Sequence, residues 1–315
     1  DAKHHLKRLG CKYRLSREVL CYSRDLEAPP SPEAHQYVVA VEDVLPKSML
    51  QQMMQGFQRD SAFWREHHYD CETSDYFSFL HPLTGPPQNS LDQVLQLLHA
   101  EACKHFPQAK EAKFAEWWAH CRPHPSGHQL HFDSADEGRG GVRNPIVSSV
   151  LYLTVEDIGG PTLVTRQRLK DKTLARDGWM VFPKLNRYCM FDGGVLHGVI
   201  PGRSYPKDGA CEAGCRRVTF MAAFWKDSVT ARPQVNGTPG AAEPFPDPDK
   251  CLLQWPTLFK IRPEPGRRAP EPVKAPVVPV PRVWEDVDER ENERRRQSVA
   301  GLTALPPYDV CFQGF

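Results

Sequence analysis

The segment Gly127-His-Gln-Leu-His-Phe-Asp133 places two potential metal-binding side chains, His131 and Asp133, two residues apart. On a β-strand, residues i and i+2 point to the same face, so both side chains can reach one ion while Phe132 points the other way. On a helix the two side chains would diverge, because helical neighbours lie three or four residues apart. Gly127, Pro125 and the absence of helical periodicity favour the strand.

A second segment, Asn186-Arg-Tyr-Cys-Met-Phe-Asp-Gly-Gly-Val-Leu-His-Gly-Val199, supplies a third candidate ligand, His197. It is rich in aromatic and β-branched residues, and Gly193-Gly194 predicts a bend, a bulge or a close backbone approach. We expect His197 to lie on a strand beside that of His131. Two imidazoles and one carboxylate hold one face of a non-haem ferrous ion and leave the opposite positions open. Such an incomplete ligand set is typical of reactive metal sites.

Further strands are predicted on both sides of His197. Residues 146–154 and 159–165 read as two strands joined by an acidic turn, and residues 214–225 begin with Arg216-Arg217 and continue as an apolar strand. Arg217 is suited to hold a dicarboxylate through a two-pronged guanidinium pair. The alternative for both arginines is an exposed pair on an edge strand. Cys121, His124 and His128 are weaker candidate ligands, because no partner at a fixed spacing supports them.

The order His131-x-Asp133, Gly159-Gly160, His197 and Arg217-x-Thr219 resembles the Fe(II)- and 2-oxoglutarate-dependent oxygenase superfamily over roughly residues 115–226. Residues 37–57, an apolar strand followed by a helix, are similar to the lead-in of its prolyl-hydroxylase-like members. The resemblance implies an α+β fold: a double-stranded β-helix, or jelly-roll core, braced by N-terminal helices.

By that resemblance, His131, Asp133 and His197 would bind Fe(II), and Arg217 and Thr219 would bind the distal carboxylate of 2-oxoglutarate. The expected reaction is hydroxylation of a C–H bond with O2, coupled to decarboxylation of 2-oxoglutarate to succinate and assisted by ascorbate. Arg217 follows His197 by twenty residues, further than in the family, which we interpret as an inserted loop over residues 202–214. Arg216 and Lys207 are the alternatives for the carboxylate-binding base.

Composition narrows the choice of partner. The 315-residue chain has 40 basic and 39 acidic residues and a net charge of +1, which gives no general attraction to nucleic acid or anionic membrane. No apolar run reaches the length of a membrane span. We therefore expect a monomer that acts on a small-molecule or peptidyl substrate, with no membrane partner and with nucleic acid disfavoured.

The ten cysteines form no dense framework, so we favour an intracellular, reducing compartment and a soluble protein. Cys211 and Cys215 could clip the inserted loop as a disulfide, whereas a zinc site is weakly supported because no CxxC pair exists. The chain begins with Asp1, which predicts that an upstream segment has been removed.

Three regions are predicted along the chain. Residues 1–35 form an irregular N-terminal lead, residues 36–228 the oxygenase domain, and residues 229–315 a Pro-rich and charged extension that packs on the domain as an extended arm. Helices are expected after Pro46, with a Met49, Met53 and Phe57 stripe, and after a capping box at Ser90.

Two rival functions stay open at this point. One keeps the iron site but uses another cosubstrate or acts on a nucleic-acid base. The other is a non-catalytic scaffold that binds a metal or a peptide and docks a partner through the Pro-rich arm.

Overall fold

Two antiparallel sheets face each other in the computed structural model, which describes residues 13–23, 33–69, 77–135, 142–154, 158–203, 215–231, 240–262 and 271–286. The strands are β1 (Tyr13–Leu15), β2 (Val38–Glu42), β3 (Phe79–Pro82), β4 (Phe114–Pro123), β5 (His128–His131), β6 (Val147–Tyr152), β7 (Thr162–Arg168), β8 (Gly178–Val181), β9 (Tyr188–Asp192), β10 (Val195–Val199), β11 (Arg216–Trp225), β12 (Val273–Lys274), β13 (Val278–Val280) and β14 (Trp284–Asp286).

The order of strands identifies the architecture. The larger sheet has the order β12-β2-β9-β6-β11-β4-β3, and the smaller sheet has the order β13-β8-β7-β10-β5. From β4 to β11 the chain passes repeatedly between the two sheets: β4, β6, β9 and β11 lie in the larger one, and β5, β7, β8 and β10 lie in the smaller one. This alternation is the winding of a jelly roll, so the expected double-stranded β-helix is confirmed.

Three helices cover the outer face of the larger sheet: α3 (Lys47–Phe57), α4 (Ala62–Glu66) and α5 (Ser90–His105). The short α1 (Arg17–Leu20) packs with residues of the smaller sheet, and α2 (Ala34–Tyr37) contributes to the core between the sheets. Two 3-10 turns lie at Pro107–Glu111 and Trp255–Phe259. Met53 and Phe57 of α3 are buried against Trp117 and Phe220 of the sheet, so the predicted apolar stripe faces the core. Burying large aromatic side chains between helix and sheet contributes about 1.5–3 kcal/mol each.

The helix α5 begins one residue earlier than the predicted capping box implies. Its N-cap is Asn89, whose side-chain oxygen accepts a hydrogen bond from the Asp92 amide at 2.9 Å. Ser90 is instead the first helical residue, and its hydroxyl donates to the Phe259 carbonyl at 3.0 Å. Asn89 therefore caps the helix in place of Ser90, whose hydroxyl is used in the tertiary contact with Phe259.

The N-terminal lead, expected to be irregular, contains regular structure. Within it, β1 pairs with β14 of the C-terminal extension, and a buried ion pair joins Arg14 Nε to Glu285 Oε1 at 3.1 Å. The extension also adds β12 to the larger sheet and β13 to the smaller one. The Pro-rich segment over residues 271–286 therefore adds edge strands to the core. The division into three regions stays a prediction.

The segment around Gly193-Gly194 is a turn that joins the two sheets and not one bent strand. It connects β9 in the larger sheet to β10 in the smaller one. A Cβ atom on Gly193 would lie 2.2 Å from the carbonyl oxygen of Pro145, so the close backbone approach predicted for these glycines is confirmed.

Cysteines occur here in two states. Cys215 is disulfide-bonded, whereas Cys21, Cys103, Cys121, Cys189 and Cys251 are free. Cys211 and the rest of residues 204–214 lie outside the described residues. A disulfide is typical of an oxidising compartment, so Cys215 does not support the reducing compartment expected above. No helix in the described ranges is both long and apolar enough to cross a membrane.

Candidate metal centre

Three candidate ligands converge between the two sheets. His131 ends β5, Asp133 follows it, and His197 lies on β10 directly opposite His131 in the antiparallel register. One ligand atom from each residue lies within 4.8 Å of the other two. His131 Nε2 is 3.4 Å from Asp133 Oδ1, and His197 Nε2 is 3.7 Å from Asp133 Oδ2. The geometry brings together the three residues that the sequence spacing selected.

Main-chain carbonyls orient both imidazoles. His131 Nδ1 lies 2.8 Å from the Gln129 carbonyl oxygen, and His197 Nδ1 lies 3.1 Å from the Val195 carbonyl oxygen. A carbonyl can only accept, so each Nδ1 carries the hydrogen and donates it. Each Nε2 is therefore the nitrogen that faces Asp133 and that a metal would bind.

The carboxylate of Asp133 is also held in place. Ser148 Oγ donates to Asp133 Oδ2 at 2.6 Å, and Asn144 Nδ2 donates to the Asp133 main-chain oxygen at 2.6 Å. The Ser148 contact fixes the orientation of the carboxylate, and the Asn144 contact holds the main chain that carries it. Ser148 and Asn144 therefore support the site without themselves contacting an ion.

Burial and mutual charge set the ionisation of the triad. Burial lowers the pKa of His197 to about 4, although the Asp133 charge partly opposes this. Burial works against the charged forms of Asp133 and His131. For Asp133 this is outweighed by the His197 charge and the hydrogen bond with His131, and for His131 by the hydrogen bond and charge of Asp133. The pKa of Asp133 is therefore lowered and that of His131 raised. A neutral imidazole and an ionised carboxylate are the forms that bind a metal.

The triad lies at one side of a pocket between the sheets that contains about 480 Å³ of space out to its open mouth. Phe191, Val150, Met221 and Trp118 form an apolar wall, and the Phe191 ring lies 4.5 Å from that of His197, centroid to centroid. Among the aromatic residues of these strands, Trp117 faces the helical side instead and Trp225 belongs to another cluster.

Arg217 lines the same pocket as the triad. It is 4% exposed, and burial lowers its pKa to about 10, which leaves the guanidinium charged at neutral pH. Thr219, two residues along β11, points to the same face and is fully buried. Arg216 points to the other face and donates to the Cys121 carbonyl at 3.1 Å. Lys207 lies outside the described residues, and the roles of Arg217 and Thr219 stay predictions.

Gly159 allows the Arg217 side chain to reach the pocket. It has a φ of +84°, and a Cβ atom there would lie 2.4 Å from Arg217 Cδ. The neighbouring Gly160 accepts a hydrogen bond from Arg217 Nη1 at 3.4 Å. Gly159 therefore leaves room for the arginine, whereas Gly160 leaves room for the main chain of Ile200.

Two further histidines line the pocket: His128, which the sequence made a weaker candidate ligand, and His120, which was not selected from the sequence. His128 and His131 are three residues apart on β5, yet both line the pocket. Their partners on β10, Val199 and His197, are only two residues apart, so β5 contains a bulge between the two histidines. Such a bulge re-aims a side chain. His120 lies on β4, and its ring is 5.5 Å from that of His128. The alternation Trp118, His120, Arg122 along β4 was the available signal, since residues two apart share a face.

Comparisons with known proteins found similarity to solved structures alone. No family model matches the chain, and no curated protein matches it. A Pseudomonas putida prolyl-4-hydroxylase is 18% identical, with a TM-score of 0.38 over 62% of this chain and 96% of the other. A viral collagen prolyl hydroxylase from Paramecium bursaria Chlorella virus-1, in complex with 2-oxoglutarate, is 11% identical, with a TM-score of 0.35 over 62% and 98%. A 2OG-Fe(II) oxygenase family protein from Burkholderia pseudomallei is 12% identical, with a TM-score of 0.37 over 66% and 95%.

Proposed function

We propose that this protein is an Fe(II)- and 2-oxoglutarate-dependent dioxygenase that hydroxylates a C–H bond of a peptidyl, amino-acid or small-metabolite substrate. The observation that carries the proposal is the convergence of His131, Asp133 and His197 in one pocket with the buried Arg217. The fold alone does not select a function, whereas a site of this composition does.

The donor set fits a ferrous ion. Two imidazole nitrogens and one carboxylate form the facial triad of non-haem iron oxygenases, which leaves coordination positions for other ligands. Both Nε2 atoms face Asp133 because main-chain carbonyls hold the Nδ1 hydrogens, and a proton on His131 Nε2 would be released when the ion binds. When bound, the iron and 2-oxoglutarate would supply the oxidising chemistry, with succinate and carbon dioxide formed from the cosubstrate.

Charge balance supports a dianionic cosubstrate. A ferrous ion and the Asp133 carboxylate together carry one positive charge, and Arg217 adds a second. The two charges of 2-oxoglutarate would neutralise both, with one carboxylate near the metal and the other paired with the guanidinium. Asp133 is the one acidic side chain among the described residues that line the pocket.

The chain's own residues would orient the reactants and exclude water. Arg217 and Thr219 would hold the distal carboxylate, and Ser148 would keep the Asp133 carboxylate in its ligating orientation. The apolar wall of Phe191, Val150 and Met221 would keep bulk water from the reacting centre.

The direct test is turnover of the cosubstrate. Purified protein with Fe(II), ascorbate, O2 and 2-oxoglutarate is expected to form succinate, slowly alone and faster with a substrate. Candidate peptides, amino acids and metabolites are then screened for a gain of one oxygen atom by mass spectrometry. If the protein binds iron but consumes no O2 with any 2-oxo acid tested, the proposal is rejected. That result would favour the rival function, a non-catalytic metal- or peptide-binding scaffold.

A further inference from the structure

Within the part of the chain that the structure describes, two buried donors without acceptors lie on the face of β11 that borders the pocket. Arg217 Nε and Thr219 Oγ1 have no hydrogen-bond partner among the described residues, although Arg217 is 4% exposed and Thr219 is fully buried. A buried donor left unsatisfied costs about 1–3 kcal/mol, so this pair points to a ligand that supplies acceptors.

His120 lies beside these two donors, on the neighbouring strand β4. In the antiparallel pairing of β4 with β11, His120 lies directly opposite Thr219, and Arg122 lies opposite Arg217. Residues paired in this way project from the same face of a sheet. His120 also lines the pocket. The imidazole is therefore a neighbour of both unsatisfied donors.

Tyr69 contacts one ring nitrogen of His120, Nδ1. Its hydroxyl oxygen lies 3.2 Å from His120 Nδ1 and accepts from the Cys121 amide at 3.4 Å. With the Tyr69 hydroxyl donating to Nδ1, the hydrogen of the neutral ring lies on Nε2. No residue in the described ranges accepts a hydrogen bond from His120 Nε2, so this donor is available to a ligand.

The charges around His120 favour an anion over a cation. Burial, together with the charges of Arg122, Arg217 and His131, lowers the pKa of His120 well below its usual value. The ring is thus a neutral donor beside two guanidinium groups. Asp133, on the metal side of the pocket, is the one acidic residue among the described lining residues. A carboxylate would supply the missing acceptors and the missing negative charge.

We propose that His120, oriented by Tyr69, donates a third hydrogen bond to the distal carboxylate of the 2-oxo acid, alongside Arg217 and Thr219. This three-donor arrangement would select a dicarboxylic over a monocarboxylic 2-oxo acid. The inference rests on the proposed function and adds two residues, on β4 and after α4, to the cosubstrate site.

The test compares two acids that differ in the distal carboxylate. Binding of 2-oxoglutarate and of 2-oxopentanoate to Mn(II)-loaded protein is measured by calorimetry without O2, so turnover plays no part. His120→Ala is expected to weaken 2-oxoglutarate about ten-fold, the effect of losing one hydrogen bond to a charged group. The affinity for 2-oxopentanoate should stay within about two-fold, since it makes no such contact. Tyr69→Phe should likewise lower the affinity for 2-oxoglutarate and leave the affinity for 2-oxopentanoate unchanged.

The matched control is His99→Ala. That histidine lies on α5, outside the pocket, with its Nε2 2.8 Å from the Ala109 carbonyl, and its loss should leave both affinities unchanged. An unchanged preference for 2-oxoglutarate in folded His120→Ala protein overturns the inference. If that variant does not fold, an unchanged preference in Tyr69→Phe overturns it instead. Wild-type protein that binds neither acid would reject the proposed function itself.

Discussion

His131 and His197 lie directly opposite each other on paired strands, with ring centroids 4.4 Å apart. The pairing of β5 with β10 sets this separation through main-chain hydrogen bonds. Each ring is also oriented by a carbonyl two residues earlier on its own strand. The two imidazoles are therefore preorganised by the sheet, and little reorganisation is needed when an ion binds.

Ser148→Ala is expected to weaken metal binding about ten-fold, because Asp133 would lose the hydrogen bond that orients its carboxylate. Ser149→Ala is the matched control, since that hydroxyl donates to the Ala222 carbonyl and not to a ligand. The measurement is Mn(II) affinity of both variants. Equal affinities for the two would contradict a supporting role for Ser148.

Arg217→Met is expected to abolish measurable 2-oxoglutarate binding while metal binding is retained, because the buried cation would be lost without loss of bulk. Arg216→Met removes a neighbouring arginine on the other face of β11 and should leave cosubstrate affinity within about two-fold. Calorimetry of the Mn(II)-loaded variants gives both values. A larger loss in Arg216→Met would reassign the carboxylate-binding base.

Gly159→Ala is expected to impair 2-oxoglutarate binding, because the new Cβ atom would lie 2.4 Å from Arg217 Cδ and displace that side chain. Gly85→Ala separates this effect from backbone strain. Gly85 also has a positive φ, +100°, but its Cβ atom would meet nothing within 4 Å. Both changes should lower the free energy of unfolding by about 1–3 kcal/mol, and Gly159→Ala alone should lose cosubstrate affinity. Equal affinities in the two variants would argue against the steric role.

Acid should destabilise the metal-free protein through His197. Burial lowers its folded-state pKa to about 4, so the unfolded chain binds the proton more readily between about pH 6.5 and pH 4. The stabilisation is present above pH 6.5 and is lost as the pH falls toward 4. From pH 7 to pH 5 the His197 contribution falls by about 2 kcal/mol.

Urea unfolding at the two pH values measures this loss. His131, whose pKa is raised, acts in the opposite direction, so the wild-type protein is compared with His197→Gln. The variant should lose about 2 kcal/mol less between pH 7 and pH 5. The same loss in both proteins would show that His197 does not carry the acid sensitivity.

Spacing and the family resemblance together predicted which three side chains come close together. His131 and Asp133 are two residues apart, and they come together although β5 ends at His131 and Asp133 follows the strand. His197 lies in a segment with the composition of a strand. The order of motifs in the family resemblance is what linked it to His131 and Asp133. The apolar stripe of α3 was likewise predictable, because its period is a property of the helix itself.

Features that depend on tertiary pairing were not predicted. Tyr69 and His120 are separated by 51 positions in the sequence. Nothing in either segment indicates that the Tyr69 hydroxyl contacts the His120 imidazole. The bulge in β5 that turns His128 into the pocket depends on the register with β10. The pairing of β1 with β14 joins the two ends of the described chain, where neither short segment has a pattern of its own.

Metal binding by triad variants tests the central claim most directly. Wild-type protein should bind one equivalent of Mn(II) or, without O2, of Fe(II). His131→Ala, Asp133→Ala and His197→Ala should each lose at least about 100-fold in affinity, more than loss of an outer contact causes. His99→Ala, folded to the same extent, should bind as the wild type does. Unchanged affinity in the three ligand variants would contradict the assignment of this site and the oxygenase function built on it.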